Sequence, residues 1–171
     1  MKQDFDFIDF MRIGIGSDIH RLAAGRPLVI GGVRIPADFG PVGHSDADAL
    51  SHAIADAIFG ALAAGDIGTH FPNDDERWKN ADSREFLRHA ADLVRKKSYE
   101  ILNIDSTVHL ERPKLKPYIE TVRDSLAAVL DIDIARISVK AKSGEGLDAV
   151  GDGRAIRADA IVLLGIRSDA G

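Results

Sequence analysis

The chain of 171 residues has 45% hydrophobic and 29% charged residues, which is the composition of one globular domain and argues against disorder as its main state. Its 22 Lys and Arg against 27 Asp and Glu give a net charge of -5 without a dense basic run, which argues against non-specific nucleic-acid binding. The absence of cysteine excludes disulfides and thiolate metal sites, so any metal ion must be held by histidine, carboxylate or substrate oxygen.

Residues 1–10 are interpreted as a tail with little bearing on function, followed by one domain over residues 11–168. The tail is acidic and lacks the basic start and clean apolar core of a signal peptide. No stretch of the chain approaches the ~18–20 apolar residues of a membrane span. We therefore expect a cytoplasmic protein without a membrane partner.

The first predicted elements are a strand and a hairpin. Residues 11–18 alternate between apolar residues and glycine or polar residues, which predicts a strand. Two short apolar runs at 28–30 and 33–35 are joined by Gly31-Gly32, a strong hairpin signal. Residues 36–43 are expected to form a loop.

A helix is predicted between Ser45 and Gly65. Ser45 with Asp48 three residues later resembles a capping box, apolar residues then recur at helical spacing, and Gly65 ends the pattern. Residues 66–80 follow without a period and are rich in acidic residues. Because a connection of this length is usually functional or mobile, we expect it to contribute to a site.

The second half of the chain alternates helices with strands. The predicted elements are a helix from 82 or 83 to about 97, a strand over 101–110, a helix over 114–130, a strand over 137–141, a glycine-rich loop over 143–154 and a strand over 155–166. This order predicts a single α+β domain with a mainly four-stranded sheet covered on one face by helices. Residues 161–166 are apolar on both faces, so we expect the uncovered face to pack against other copies of the chain.

Two polar segments are candidates for a metal site. Asp18 and His20 are two residues apart in a predicted strand, so both side chains project from the same side. On the predicted helix, Asp48 and Asp56 lie one turn before and after His52, an arrangement that offers one ligand and carboxylates to fix its ring. Together Asp18, His20 and His52 would form a three-ligand site with an open fourth position, as in catalytic zinc sites.

Other interpretations of these residues remain open from the pattern alone. A D-x-H pair is more often two solvated side chains, and the polar line on the helix is equally well a solvent-facing stripe. His70, His89 and His109 have no partner at ligand spacing and are expected on the surface. The glycine-rich loop from Ser143 to Gly153 can present N–H groups to an anion, but its composition favours a flexible hairpin turn.

The combination of segments is more specific than its parts. In order, they read GSDIHR, GGVRIP, GHSDADALSHAIADAIFGALAAGDIGTHFP, ADSREFL, ERPKLKPYI and VKAKSGEGLDAVGDGRAI. Over residues 11–166 they closely resemble the 2-C-methyl-D-erythritol 2,4-cyclodiphosphate synthase family of the non-mevalonate isoprenoid pathway. That family converts 4-diphosphocytidyl-2-C-methyl-D-erythritol 2-phosphate into the cyclic diphosphate, because the 2-phosphate attacks the β-phosphorus and CMP leaves.

The resemblance implies two divalent cations at the active site. It places a zinc-type ion on Asp18, His20 and His52, with the open position available to a β-phosphate oxygen. It places a Mg or Mn ion between the α- and β-phosphates, held by Glu145. The zinc-type ion would act as a Lewis acid that draws charge off the phosphorus under attack. Because nucleophile and electrophile belong to one substrate, positioning and charge neutralisation would supply most of the rate.

The resemblance also implies which residues meet the small nucleotide-diphosphate substrate. His44 and Ser143 match family residues thought to stabilise the transition state. The remaining expected contacts are Ser45, Asp66, Ile67, Gly68, Phe71, Pro72, Asn73, Asp74, Asp75, Pro113, Lys114, Leu115, Ala141 and Lys142. The stretch around 113–115 with Ala141 would form the cytosine pocket, and the stretch over 66–75 would meet the two sugar-derived parts.

Assembly and regulation are implied as well. Family members are homotrimers with active sites between neighbours, arranged around a central sheet-lined cavity in which some relatives bind isoprenoid diphosphates. The chain departs from the family at Asn73, where many members have Asp, at Ala149, where bacterial members have Phe, and at Asp152, where they have Arg. Arg154 is expected to restore the positive charge lost at position 152.

Two other functions use the same residues. A metal-dependent phosphoesterase would use the Asp18, His20 and His52 triad to activate a hydroxide that attacks phosphorus, giving a linear monophosphate. A non-catalytic trimer that binds isoprenoid diphosphates is the other alternative. The loss of a ligand residue would be expected in that case, yet all three are present.

Overall fold

A computed structural model describes residues 11–72 and 74–167, so the predicted tail over residues 1–10 lies outside the described residues. Its strands are β1 (Met11–Ala24), β2 (Leu28–Ile30), β3 (Val33–Ile35), β4 (Phe39–Pro41), β5 (Tyr99–His109), β6 (Ile137–Lys142) and β7 (Ala155–Ile166). Its helices are α1 (Ala49–Ala61), α2 (Ile67–His70), α3 (Arg84–Lys96), α4 (Ile119–Leu130) and α5 (Asp148–Gly151). The described residues contain no helix long and apolar enough to cross a membrane.

The main sheet has five strands in the order β4-β1-β7-β5-β6, so the prediction of four strands was wrong. Strands β5 and β6 are parallel, and the other neighbours in the sheet are antiparallel. The additional strand is Phe39–Pro41, inside the predicted loop, which pairs with the second half of β1 because that strand continues to Ala24. A three-residue strand containing glycine and proline carries too little alternation to be recognised from its sequence.

Strand β1 and helix α1 pack against each other unusually closely. A Cβ atom on Gly14 would lie 1.9 Å from the Ala57 carbonyl oxygen, so only glycine fits there. The buried residues of α1, α3 and α4 form one core with the inner face of the sheet. This confirms the α+β class and the single layer of helices.

The other face of the sheet exposes large apolar side chains. Ile13 and Ile15 on β1 are 71% and 73% exposed, and Ile161 on the neighbouring strand β7 is 49% exposed. A contiguous apolar surface of this kind is typical of a face that another protein covers.

Helix α1 begins later than predicted, because Asp48 rather than Ser45 is its N-cap. The Asp48 side chain accepts a hydrogen bond from the Ser51 backbone N–H. It also accepts hydrogen bonds from the backbone N–H groups of Gly31 and Gly32, at 2.9 and 2.7 Å. One buried carboxylate therefore joins the start of α1 to the turn of the β2–β3 hairpin, which the helical pattern alone could not indicate.

Candidate metal centre and active site

Three side chains, two from strand β1 and one from the first turn of helix α1, converge on one point. Asp18 and His20 lie on β1, on the same side as Gly14 and Gly16, and His52 lies on the first turn of α1. Asp18 Oδ2 is 2.8 Å from His20 Nε2 and 2.8 Å from His52 Nδ1, and the two nitrogens are 3.3 Å apart. The predicted convergence of these three residues is confirmed as a possible metal site.

The chemistry of the three donors fits a divalent cation. The Nδ1 atom of His20 is 3.1 Å from the Val42 carbonyl oxygen, which can only accept, so Nδ1 carries a hydrogen and the neutral ring offers its lone pair on Nε2. Around a tetrahedral ion with bonds of about 2.0–2.1 Å, ligand atoms are separated by about 3.3 Å. The observed separations of 2.8 to 3.3 Å are close to that value.

The charges of the triad are strongly coupled. Burial by itself raises the pKa of Asp18, but the hydrogen bonds and charge of His20 and His52 outweigh it and hold the pKa well below its usual range. Burial lowers the pKa of His20, but the bond to the Asp18 carboxylate more than compensates and raises it. A cation that binds at this centre would therefore compete with protons for the same donor atoms.

A cavity of about 270 Å³ opens onto the triad. Of the other predicted site residues, His44, Ser45, Ile67 and Phe71 line it, and the ring of His44 points Nε2 at the Asp75 carbonyl oxygen, 3.4 Å away. A larger cavity of about 440 Å³ lies elsewhere, at the start of β5, and contains none of the predicted site residues.

Trp78 and Phe86 also line the cavity, and the sequence analysis missed both of them. Their rings lie 4.8 and 4.4 Å from the ring of Phe71, so the three aromatic residues form one wall. Phe86 comes from the apolar face of α3, where its spacing indicates only a core residue.

The prediction that the carboxylates of Asp48 and Asp56 fix the ring of His52 was wrong. The alternative, that these residues form a solvent-facing stripe on the helix, was also wrong. Asp48 is fully buried and bonds to the hairpin, as described above, and Asp56 accepts a hydrogen bond from the Ile67 backbone N–H at 2.7 Å. The second nitrogen of His52 instead lies 2.9 Å from Ser83 Oγ and 3.2 Å from Ser45 Oγ. Ser83 lies 31 positions further along the chain, so helical spacing could not reveal it.

The predicted sugar-binding stretch is folded into short helical turns beside the cavity. Asp66 caps α2 and accepts hydrogen bonds from Thr69, and Asp75 binds Arg77. Gly68 lies within α2 and, with Pro72 and Asp74, is exposed. Asn73 lies outside the described residues. The roles assigned to this stretch stay predictions.

A second group of predicted residues lies at the opposite edge of the sheet. Asp18 pairs with Ala158, Ala158 with Val108 and Val108 with Ala141, so three strand spacings, roughly 14 Å, separate the triad from β6. The group comprises Pro113, Lys114, Leu115, Ala141, Lys142, Ser143 and Glu145. Within it, the hydroxyl of Ser143 donates a hydrogen bond to the Glu145 carboxylate. Within one chain, these seven residues therefore lie apart from the triad and its cavity.

The other three histidines and Arg154 agree only in part with what the sequence predicted for them. His70 is half-buried and stacks on Phe59 at 4.1 Å, so it is not the surface residue that was expected, whereas His89 is exposed. His109 is half-buried, with Nε2 3.1 Å from Asp159. Arg154 forms an ion pair with Asp152 at 2.7 Å, so its charge is compensated locally rather than restored.

An α+β domain that directs two imidazoles and a carboxylate, a donor set compatible with a divalent metal ion, into an open cavity has the features of an enzyme active site. The particular family follows from the sequence: the chain belongs to the YgbB family, whose model matches residues 11–165.

Individual relatives agree with this assignment. The 2-C-methyl-D-erythritol 2,4-cyclodiphosphate synthases of Solibacter usitatus and Laribacter hongkongensis are 55% and 56% identical over 154 residues, which cover 90% of this chain and 97% and 95% of those proteins. The solved Plasmodium falciparum IspF in complex with CDP is 38% identical, with a TM-score of 0.83, and the match covers 93% of this chain and 98% of that one.

Proposed function

We propose that this protein converts 4-diphosphocytidyl-2-C-methyl-D-erythritol 2-phosphate into 2-C-methyl-D-erythritol 2,4-cyclodiphosphate and CMP. An oxygen of the 2-phosphate forms a bond to the β-phosphorus, and the bond from that phosphorus to the bridging oxygen breaks. The electron pair of the broken bond leaves with CMP. The observation that carries the proposal is the convergence of Asp18, His20 and His52 on one cavity in a chain of this family.

The triad would hold a zinc-type cation. When bound there, the cation supplies Lewis-acid stabilisation of the negative charge on the β-phosphate oxygens. The chain's own contribution is to hold the two nitrogens and the Asp18 carboxylate in a fixed arrangement, with the cavity on the remaining side. No general base is required, because the attacking phosphate is already ionised at neutral pH.

His44 and Ser45 would orient the substrate. Both line the cavity next to the triad, and His44 is held by the Asp75 backbone at 3.4 Å. In this position the Ser45 hydroxyl can donate to phosphate oxygens as their charge changes, whereas the Nε2 hydrogen of His44 is directed to the Asp75 carbonyl and orients the ring. The aromatic wall of Phe71, Trp78 and Phe86 would present an apolar surface of the cavity to the substrate.

Ser143, Glu145 and the predicted cytosine pocket would complete the site from a neighbouring subunit of a homotrimer. Two observations support this arrangement. The two groups of predicted residues are separated by three strand spacings within one chain. The face of the sheet opposite the helices exposes Ile13, Ile15 and Ile161, as an assembly interface would require. Glu145 would hold the Mg or Mn ion there.

A cytoplasmic location and an isoprenoid diphosphate in the trimer cavity stay predictions from the sequence. The cavity ligand loses some of its support, because Asp152 compensates the charge of Arg154.

The reaction is tested by following the substrate with phosphorus NMR in water enriched in ¹⁸O. A synthase gives the cyclic diphosphate and CMP without solvent oxygen, whereas a phosphoesterase that attacks the same phosphorus gives CMP and the linear 2,4-bisphosphate, with solvent oxygen on its 4-phosphate. Replacing His52 with Ala should abolish turnover and leave the assembly intact. The matched control is His89→Ala, which removes an exposed imidazole outside the cavity. A well-folded, active His52→Ala variant would remove His52 from the metal site.

A further inference from the structure

The hydroxyl of the buried residue Ser83 lies next to His52 Nε2 and does not cap the helix that Ser83 begins. Ser83 is fully buried and occupies the N-cap position of α3, where a serine side chain usually accepts a hydrogen bond from the helix backbone. Its side chain makes no such bond. The hydroxyl instead lies between His52 Nε2, at 2.9 Å, and the carboxylate of Asp46.

The direction of the hydrogen bonds follows from the chemistry of Asp46. An ionised carboxylate can only accept, so the single hydroxyl proton of Ser83 points to Asp46. The carboxylate is itself held in place, because it accepts from the backbone N–H groups of Ser83 at 3.0 Å and Asp48 at 3.2 Å. The lone pairs of Ser83 Oγ are then left to face His52, and the hydrogen between these two atoms must come from His52 Nε2.

We propose that Asp46 and Ser83 are positioning residues that fix the tautomer of His52. They hold a hydrogen on Nε2, so that Nδ1, 2.8 Å from Asp18 Oδ2, is the ring nitrogen left to bind the cation. This inference rests on the proposed metal site and adds to it the reason why His52 binds through Nδ1. His20, whose hydrogen is fixed on Nδ1 by the Val42 carbonyl, binds through Nε2 instead.

Without Ser83 the ring has a competing arrangement. Its Nδ1 faces the Asp18 carboxylate, so a hydrogen on Nδ1 would make a bond that excludes a cation. Ser45 also faces Nε2, at 3.2 Å, but in the described part of the chain its hydroxyl contacts no carboxylate that would fix its proton. Partners behind a metal-bound imidazole typically change metal affinity by about 10–100-fold.

The test measures zinc affinity by competition with a chromophoric chelator and needs no turnover. Ser83→Ala should weaken zinc binding by about 10–100-fold. Ser51→Ala is the matched control: Ser51 is equally buried and donates its hydroxyl to Asp48 at 2.8 Å, and this hydroxyl makes no hydrogen bond to the His52 ring. Equal affinities of Ser83→Ala and wild-type protein would overturn the proposal while leaving the metal site in place. A wild-type protein without zinc affinity would overturn the proposed metal site itself.

A second measurement requires no variant and remains decisive if Ser83→Ala does not fold. Long-range ¹H–¹⁵N spectra of metal-free wild-type protein report which ring nitrogen of neutral histidine carries the hydrogen. The proposal requires a hydrogen on Nε2 of His52, and a neutral Nδ1–H tautomer, in which Nε2 is bare, would overturn it. In folded Ser83→Ala protein the population should shift toward the Nδ1–H form.

Discussion

Gly16 on β1 lies directly against Ala53 on α1, and a Cβ atom at Gly16 would be 2.0 Å from the Ala53 carbonyl oxygen. Because this neighbour is backbone, no change of rotamer can relieve the contact. The close approach determines where α1 crosses the strand, and His52 is the residue before Ala53. The glycine therefore contributes to the metal centre without touching it, since it lets His52 come within 2.8 Å of Asp18.

Replacing Gly16 with Ala should consequently weaken both the fold and the site. We expect a loss of about 1–3 kcal/mol or more in the free energy of unfolding, measured with urea, because the helix must move away from the strand. Zinc affinity should fall as well. Gly60→Ala is the control, since its Cβ would meet only one atom, at 3.7 Å, and alanine favours the helix. Equal stability of the two variants would contradict this account.

Removing the cation should lower the free energy of unfolding of the wild-type protein, and this effect should require an intact triad. A ligand that binds only the folded state, present at one hundred times its dissociation constant, adds about 2.7 kcal/mol to the free energy of unfolding. Adding zinc to chelator-treated wild-type protein should raise the melting temperature and restore turnover. The Asp18→Asn variant should show a much smaller rise. A similar rise in both proteins would mean that the stabilising zinc binds elsewhere.

Subunit complementation tests whether the site is shared between neighbours. Individually, His52→Ala and Glu145→Ala should have little activity at limiting Mg or Mn. In mixed trimers formed from equal amounts, about one quarter of the interfaces would combine an intact His52 with an intact Glu145. Activity should therefore return to about that fraction of the wild-type value. No recovery, despite mixed assemblies demonstrated by two affinity tags, would place Glu145 outside the shared site.

A separate experiment tests whether Glu145 holds the Mg or Mn ion. Glu145→Gln retains the shape of the side chain but removes its charge, so the Mg or Mn concentration for half-maximal turnover should rise while zinc affinity stays unchanged. Glu120→Gln is a suitable control, because Glu120 pairs with Arg123 on α4 and lies outside both groups of site residues. An unchanged metal titration of Glu145→Gln would remove Glu145 from this role.

Asp56 and Asp66 lie near the cavity, and their contributions to stability should change in opposite directions with pH. Burial is the main reason that the pKa of Asp56 is raised, with Asp66 and Asp18 contributing, although the Ile67 N–H opposes the shift. A raised folded-state pKa gives stability that is present below the unfolded pKa of about 3.9 and is lost as pH rises. Asn cannot ionise, so Asp56→Asn should be at least as stable as wild type at pH 7, and any gain should disappear toward pH 4.

Asp66 provides the reverse case. Hydrogen bonds from the Thr69 side chain and backbone lower its pKa. Its stabilising contribution is therefore present above the unfolded pKa and is lost as pH falls through the folded value. Asp66→Asn should lose stability at pH 7, and the loss should shrink at acidic pH. Urea unfolding of both variants in the presence of a chelator, from acidic pH to pH 7, measures these two opposite pH dependences of stability. If the stability difference from wild type followed the same pH profile in both variants, the predictions would be wrong.

The sequence by itself determined the local elements and the ligand types in this protein. The alternation in β1 placed Asp18 and His20 on one face, the double glycine closed the hairpin, and the helical period located α1 with His52. These features depend on neighbours a few residues apart, which a sequence displays directly. The boundaries were less accurate, because Asp48 caps α1 through bonds that also reach Gly31 and Gly32.

Only the tertiary structure decided what surrounds His52 and how the site is divided. Ser83 lies 31 positions from His52, and Asp46 lies 37 positions from Ser83, so no local period relates them. Strand order decided that Glu145 follows the edge strand β6 while Asp18 lies three strands away on β1. Such relationships depend on how the sheet orders its strands and on how closely α1 approaches β1. Both arise from contacts between residues that are distant along the chain.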